Sequence, residues 1–326
     1  MQITTNFPDF LDKTIKKVYS DMSYKAMEES FFTKWARKYN TSEYSETFLS
    51  DEGIDDFAPL TESGSIKNLT RGTGYKVSIV SDEYAGQLVL TKKMRIRAQD
   101  NTTKLGELLS KDMKKITESG RRHIEVRTHA MLANGFVTNG SVVTGKGIVL
   151  APDTKAIFAT DHVWNSTGAT WSNKIANKFT MASWEALQTQ MVNLTDANGG
   201  KLPVMLNTIV VKMNSDAAYR AKRLFFGKVY ATTVDVAAAT TDINIHQDNK
   251  YGIRIIETPY LSSEDAWFAF DSSMVNPFIV KMVQEPKMED KMVRENLDWV
   301  YPATMSYEVG LDSMPYAWAA SDGTSA

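Results

Sequence analysis

Apolar residues recur every three, four or seven positions along one long stretch of the chain. This spacing places them on one face of an α-helix, so the pattern predicts a single helix over 102–134. At ~1.5 Å per residue such a helix is about 45 Å long, which exceeds the width of a small domain. Arg127 interrupts the stripe, and the opposite face carries charged side chains typical of a solvated surface. The stripe consists of Leu105, Leu109, Met113, Ile116, Gly120, Ile124 and Met131.

The N-terminal region shows helical spacing twice, which predicts helices over 7–20 and 25–39. Both helices could pack on their own domain, or they could form an arm that docks partly on a neighbouring subunit.

Residues 40–74 contain few large apolar side chains, and turn-forming residues are frequent there. The stretches 75–79 and 88–96 that follow have the composition of strands, and we predict that they form a long two-stranded hairpin. An isolated hairpin is only marginally stable in water. The hairpin is therefore expected to lie either on its parent domain or on another subunit.

After the long helix, the pattern of apolar and polar residues changes twice. Residues 135–182 are irregular, with short strands such as 147–150, whereas 183–276 alternate between helical and strand patterns and predict one compact α/β unit. Within that unit, helices are expected at 183–195 and 216–226, and strands at 203–213, 251–258 and 265–270. The remaining residues return to strands, at 277–283, 299–301 and 304–310.

Composition narrows the classes of function. The 326 residues carry a formal net charge of −2, which argues against a protein that coats nucleic acid by neutralising phosphates. The chain has no cysteine, so disulfides, thiolate metal sites and cysteine nucleophiles are excluded. We find no signal-peptide pattern at the N-terminus and no apolar run of the ~20 residues that a membrane helix needs.

Asp161 and His162 form the one pair of neighbouring residues whose types, a carboxylate and an imidazole, are typical of a catalytic site. A serine hydrolase would also need a nucleophile on a sharp turn, and the chain has no Gly-x-Ser-x-Gly. His123 and His129 are six positions apart on the helix and so lie on different faces, which rules them out as a metal-binding pair. We therefore predict no catalytic, cofactor-binding or metal-binding residues and a structural role for the pair, with a hydrolase using Asp161 and His162 as the distant alternative.

Several segments taken together resemble one known family. They are 84–91 with 97–101, 158–162 with Trp171-Ser172-Asn173, 202–211, 251–259 and 267–271. In their order and spacing these segments resemble the tailed-bacteriophage major capsid proteins with the Hong Kong 97-type fold, and most closely the Mu-like major head subunit branch.

The resemblance implies an α+β fold with four parts. The expected parts are an N-terminal arm at 1–50, an extended loop (E-loop) at 51–98, a peripheral domain from 99–182 and 277–326 that contains the spine helix 102–134, and an axial domain at 183–276.

The resemblance also implies a function. A major capsid (head) protein of this type self-assembles into hexamers and pentamers of an icosahedral shell, which encloses the double-stranded DNA genome in the virion. The expected partners are other copies of the chain, a portal and decoration proteins, with no membrane, no cofactor and no enzyme activity. Because the spine helix begins near residue 102, we also expect a separate scaffolding protein. The alternative within this fold is the shell protein of an encapsulin-like nanocompartment.

Overall fold

The computed structural model describes residues 17, 19, 21, 27–54, 57, 66–69, 71–94, 102–140, 147–227, 229–231, 241–243, 246 and 252–324, with the backbone alone at 51, 102–110, 229–231 and 241–243. The α-helices are α1 (Thr102–Ala133), α2 (Met181–Val192) and α3 (Asp216–Phe226), and a short 3-10 helix spans Phe32–Lys34. The strands are β1 (Arg37–Asn40), β2 (Ser45–Ile54), β3 (Arg71–Val80), β4 (Asp82–Leu90), β5 (His162–Val163), β6 (Thr170–Trp171), β7 (Lys174–Ile175), β8 (Thr208–Lys212), β9 (Val229–Ala231), β10 (Thr241–Ile243), β11 (Arg254–Thr258), β12 (Trp267–Phe270), β13 (Phe278–Met288), β14 (Met292–Val293), β15 (Trp299–Leu311) and β16 (Trp318–Ser321).

The first large sheet is built around the long strand β15. One edge of β15 pairs with β13, which in turn carries β1 in parallel at the outside. The other edge pairs with β4 and β14. The long helix α1 packs on this sheet, and Met113 and Ile124 are buried at two separate places along it.

The second large sheet has the strand order β11-β8-β12-β16-β7. The apolar residues of β8 alternate between its two faces, so Ile209 and Val211 pack with α2 and α3, whereas Val210 faces the core shared with α1 and the first sheet. Strand β16 follows β15 along the chain, which carries the chain from the first sheet into the second. The predicted α/β unit therefore has two layers, one of helices and one of strands. Two strands from outside the predicted range, β16 and β7, complete its sheet.

The hairpin differs from the predicted one. Strand β3 pairs with β2, and β4 pairs with β15 instead of β3, so the expected pairing of 75–79 with 88–96 is wrong. The reason is burial, since Leu90 of β4 lies in an apolar cluster with Tyr301. Strand β2 was missed because it lacks the apolar alternation of a half-buried strand.

The helix predicted over 25–39 is also wrong in its second half. The chain forms the 3-10 helix Phe32–Lys34 and then β1, which pairs with β13. Phe32 and Trp35 are buried in the shared core, and this packing together with the β1 ladder overrides the helical spacing. Of the helix predicted over 7–20, only positions 17 and 19 are described, and both are helical.

Helix α1 is confirmed, beginning at the predicted residue and ending one residue early. Of the described part of its stripe, Met113, Ile124 and Met131 are buried and Ile116 is half-buried, whereas the side chains of Leu105 and Leu109 lie outside the described residues. Arg127 does not break the packing, because its guanidinium is buried and forms an ion pair with Glu308 of β15 at 2.9 Å.

The remaining predicted elements are present, and 216–226 agrees at both ends, but β8 begins five residues after the predicted 203 and the strands predicted at 299–301 and 304–310 are one strand, β15. Two further details are wrong. Helix α2 begins at Met181, two residues before the predicted start, after a capping box in which the hydroxyl of Thr180 accepts the backbone N–H of Ser183. Residues 147–150 form no strand beyond one bridge position. None of the helices in the described part of the chain combines the length and apolar character needed to cross a bilayer.

The two faces of α1 should respond differently to truncation. We expect Ile124→Ala to lower the free energy of unfolding by ~2–5 kcal/mol, because it leaves a cavity in the shared core. Lys114→Ala, on the exposed face, should change it by no more than about 0.5 kcal/mol. Urea unfolding of the unassembled subunit measures both, and equal losses would show that the wrong face was assigned to the core.

Candidate functional site

His162, the first residue of β5, is fully buried. Its Nδ1 lies 2.8 Å from Oδ2 of Asp153, and its Nε2 lies 3.2 Å from the carbonyl oxygen of Ile157. The ring stacks on Trp171 at 4.5 Å between centroids. His162 is therefore held by a carboxylate on one side of its ring and by a backbone carbonyl on the other.

Asp161 takes no part in this arrangement. Its side chain is 66% exposed and forms an ion pair with Lys155 at 2.6 Å. The carboxylate partner of His162 is Asp153. This pairing was not predicted, because two residues nine positions apart in irregular chain give no local signal of a contact. The two neighbouring side chains therefore lie in different environments, with Asp161 in solvent and His162 in the interior.

The surroundings of Asp153 keep its buried carboxyl group ionised. Burial alone would raise the pKa of its carboxyl, but the hydrogen bond and charge of His162 and the backbone N–H of Val163 and Lys155 outweigh burial and hold the pKa below its usual value. The carboxylate of Asp153 and the imidazole of His162 satisfy each other's hydrogen bonds away from solvent. This contact, here called the His162 clasp, holds the turn around Asp153 against β5.

The other histidines are also engaged with neighbouring groups. The hydroxyl of Tyr307 lies 2.7 Å from Nδ1 of His123, and Nε2 of His246 lies 3.2 Å from a carboxylate oxygen of Glu185. Within the described residues, no three His, Asp or Glu side chains gather closely enough to hold a metal ion.

One buried polar cluster, the 125–129 cluster, joins α1 to the N-terminal segment. The carboxylate of Glu125 accepts the backbone N–H groups of Phe31 and Phe32, at 2.5 and 3.2 Å. Nδ1 of His129 donates to the carbonyl of Glu125 at 2.8 Å, and its Nε2 accepts the indole N–H of Trp35 at 3.2 Å. An indole nitrogen can only donate, so the imidazole in this geometry is neutral with its proton on Nδ1.

Thr258 of β11 completes the cluster, with its hydroxyl 2.9 Å from Nε2 of His129. Burial raises the pKa of Glu125 to about 7, although the two backbone N–H groups and the charges of Arg121 and Lys34 act in the opposite direction. Burial also lowers the pKa of His129 to about 4, opposed by its bond to the Glu125 carbonyl. The cluster is part of the scaffold, yet it titrates near neutral pH.

The tip of the β2–β3 hairpin carries the most exposed large apolar side chains of the described chain. Phe57 is 90% exposed and Ile66 is 82% exposed. Both lie beyond the ends of strands that are ten residues long, or about 33 Å. Such side chains are suited to burial against a partner.

Comparison with known proteins assigns the family. The sequence profile of the phage capsid protein family matches residues 74–319, more than half of the chain. The chain therefore belongs to the phage capsid protein family. A search of curated proteins found no match.

Solved structures agree on the fold. The chain is similar to the capsid of an empty GTA particle, with a TM-score of 0.54 at 11% identity over 91% of this chain and 90% of that one. The capsid of the native GTA particle gives a TM-score of 0.54 at 11% identity over 90% of each chain. A virus-like particle from Pyrococcus furiosus aligns over 96% of this chain and 99% of that one, at 11% identity and with a lower TM-score of 0.43.

The predicted α+β class and the Hong Kong 97-type capsid fold are confirmed. The protein is a capsid shell protein whose place is the virion, and its role is structural and not enzymatic. The predicted assignment to the Mu-like branch stays a prediction.

We expect the His162 clasp to matter for stability. His162→Ala should lower the free energy of unfolding by ~1–3 kcal/mol, because it leaves the buried carboxylate of Asp153 without its partner. Asp161→Ala is the matched control on the adjacent, exposed position and should cost no more than about 0.5 kcal/mol. Thermal unfolding of the two subunits compares them, and a larger loss for Asp161→Ala would contradict the assignment.

The 125–129 cluster should give opposing pH dependences. The folded pKa of Glu125 lies above the unfolded value of 4.5, so its contribution to stability is complete below pH 4.5 and is lost as pH rises through about 7. The folded pKa of His129 lies below 6.5, so its contribution is complete above pH 6.5 and is lost as pH falls through about 4.

Glu125→Gln removes the first of these two contributions and leaves the second. The stability of the variant relative to wild type should therefore rise by ~2–3 kcal/mol between pH 4.5 and pH 8. Urea unfolding across this range measures the difference, with Glu118→Gln on the exposed face as the control. A difference that does not change with pH would contradict the raised pKa of Glu125.

Proposed function

We propose that this chain is the major capsid protein of a tailed phage and that it assembles as hexamers and pentamers into an icosahedral shell around double-stranded DNA. Family membership and the fold support a shell protein, and the net charge of −2 suits a container that does not grip its genome by counterion release. The observation that carries the assembly proposal is the exposed apolar tip of the β2–β3 hairpin.

A shell needs many copies held by reciprocal contacts, and an element that projects from one subunit onto the next supplies them. In the isolated chain, Phe57 and Ile66 face solvent at the end of a hairpin that buries few side chains of its own. On a neighbouring subunit, the same two side chains would lose most of their exposed apolar surface. The free energy gained is ~1.5–3 kcal/mol for each side chain that becomes fully buried.

The proposal keeps the four-part division of the chain. The N-terminal arm comprises 1–50, the E-loop 51–98, the peripheral domain 99–182 and 277–326, and the axial domain 183–276. The strand pairings refine this division, because the hairpin begins at Ser45, and β7 and β16 join the sheet of the axial domain.

The proposed partners are other copies of the chain, a separate scaffolding protein, a portal and decoration proteins. A nanocompartment shell of the encapsulin type is the second candidate, and the phage capsid family match favours the virus. Electron microscopy of purified assemblies tests the proposal directly. Closed shells with pentamers at the vertices and hexamers on the faces are expected, and a small monodisperse particle would contradict it.

The tip should be needed for assembly and not for folding. We expect the double variant Phe57→Ser, Ile66→Ser to give a soluble subunit with wild-type thermal stability that no longer forms shells, because the apolar contact with the neighbour is lost. Val80→Ser is the matched control, since Val80 is 57% exposed on the same hairpin but lies at its base. Negative-stain microscopy and sedimentation give the readout. Normal shells from the double variant, or equal loss of assembly in the control, would contradict a contact made by the tip.

A further inference from the structure

The β2–β3 hairpin does not follow a straight ladder. Its register shifts between Leu49 and Asp51 and again between Asp51 and Ile54. Irregularities of this kind bend a strand and change its direction. The part of the hairpin beyond Ser50 is thereby turned toward its own subunit.

Two glycines permit this bend. An ideal Cβ on Gly74 would lie 2.0 Å from the carbonyl oxygen of Ser50, so no other residue fits there while the hydroxyl of Ser50 accepts the backbone N–H of Tyr75 at 2.7 Å. Gly53 has a φ of +94°, and a Cβ there would lie 2.4 Å from Oδ2 of Asp196. The sequence therefore encodes both the bend and the close approach of the hairpin to the turn at 196–200.

Glu52 lies within the second register shift, between Asp51 and Ile54, and is buried, although the hairpin around it is largely exposed. Its two carboxylate oxygens accept the backbone N–H groups of Asn165, at 2.8 Å, and Ser166, at 2.9 Å. Its carbonyl oxygen accepts the N–H of Ala197 at 3.3 Å. One residue of β2 thus contacts two separate turns of the body.

The other strand of the hairpin is held at the same turn. The side-chain amide of Asn165 donates to the carbonyl oxygen of Thr73 at 2.9 Å. The turn itself is closed by hydrogen bonds between Trp164 and Ala169 and between Gly168 and Trp164. Both strands are therefore fastened to one preformed turn by polar contacts that are specific in direction.

The base of the hairpin is held independently. Lys281, buried in β13, donates to the carbonyl oxygens of Tyr44 and Ile79, at 2.9 and 3.1 Å. The contacts of Glu52 are thus not needed to attach the hairpin to the body. What they add is a second fixed point, and two fixed points define the direction in which the tip projects.

We propose that Glu52 is a positioning residue, which fixes the direction of the hairpin on its own subunit and so places the tip on the neighbouring subunit. This inference rests on the proposed function for its second half, since it takes the tip to be a contact between subunits. A hairpin held in this way differs from a freely flexible loop, because the direction of its tip is set before the subunit meets a neighbour.

The first test is hydrogen–deuterium exchange on the unassembled subunit. Glu52→Ala should speed exchange at Asn165 and Ser166 and across Arg71–Val80 by about tenfold or more, because the amides lose a charged acceptor and the hairpin loses one fixed point. Glu52→Gln keeps one acceptor oxygen and should give a smaller effect. Glu46→Ala is the matched control, since Glu46 lies on the same strand but bonds Tyr39.

The second test is assembly of the same variants, followed by negative-stain microscopy. We expect Glu52→Ala to give few shells or particles of altered diameter, with Glu52→Gln intermediate and Glu46→Ala normal. Wild-type exchange in Glu52→Ala would overturn the inference, as would fast exchange with shells of wild-type yield and diameter. Loss of the native near-UV circular dichroism spectrum in Glu52→Gln would also overturn it, because Glu52 would then hold the whole fold.

The two proposals fail in different experiments. If the tip is not a contact between subunits, the double variant at Phe57 and Ile66 assembles normally, whatever Glu52 does. If Glu52 does not position the hairpin, exchange in the isolated subunit is unchanged, and that measurement involves no assembly at all.

Discussion

The structure depends on how one short stretch of α1 satisfies its buried polar groups. Glu125, Arg127 and His129 are all buried, with Arg127 on the opposite side of the helix from the other two, and an unpartnered polar group in such a position costs free energy. Each of them is satisfied by a different part of the chain. Glu125 binds the N–H groups at 31–32, Arg127 binds Glu308 of β15, and His129 binds Trp35 and the hydroxyl of Thr258 in β11. Less than two turns of helix therefore set the relative positions of the N-terminal segment and both large sheets.

The same constraint gives the hairpin a firm base. Trp35 is held by His129, and the chain then runs straight into β1 on the edge of β13. Strand β13 carries Lys281, whose ammonium group binds the carbonyl oxygens at the start of β2 and the end of β3. The hairpin thus projects from a sheet edge whose position is fixed by the buried contacts of α1. Without such a base, a two-stranded ribbon with little core of its own would have no defined direction.

The parts that could be predicted from the sequence are those whose signal is local and periodic. The stripe of α1 and the amphipathic helix at 216–226 lie where the spacing predicts them. Strand β2 and the contacts of Asp153 with His162 and of Glu52 with Asn165 could not be predicted, because each depends on residues brought together by the fold. The helix predicted over 25–39 failed for the same reason, since burial of Trp35 outweighs the local preference of Arg37–Asn40.

A hairpin held at two points has a consequence for assembly. A flexible loop would lose conformational entropy when it docks on a neighbour, at ~1–2 kcal/mol for each residue that becomes ordered. In this chain the bend at Ser50, the contacts of Glu52 and the clamp by Lys281 order the strands within the isolated subunit. More of the free energy from burying Phe57 and Ile66 then remains available for association. The polar contacts under the hairpin and the apolar side chains at its tip thus have separate tasks, since the first set the geometry and the second supply the attraction.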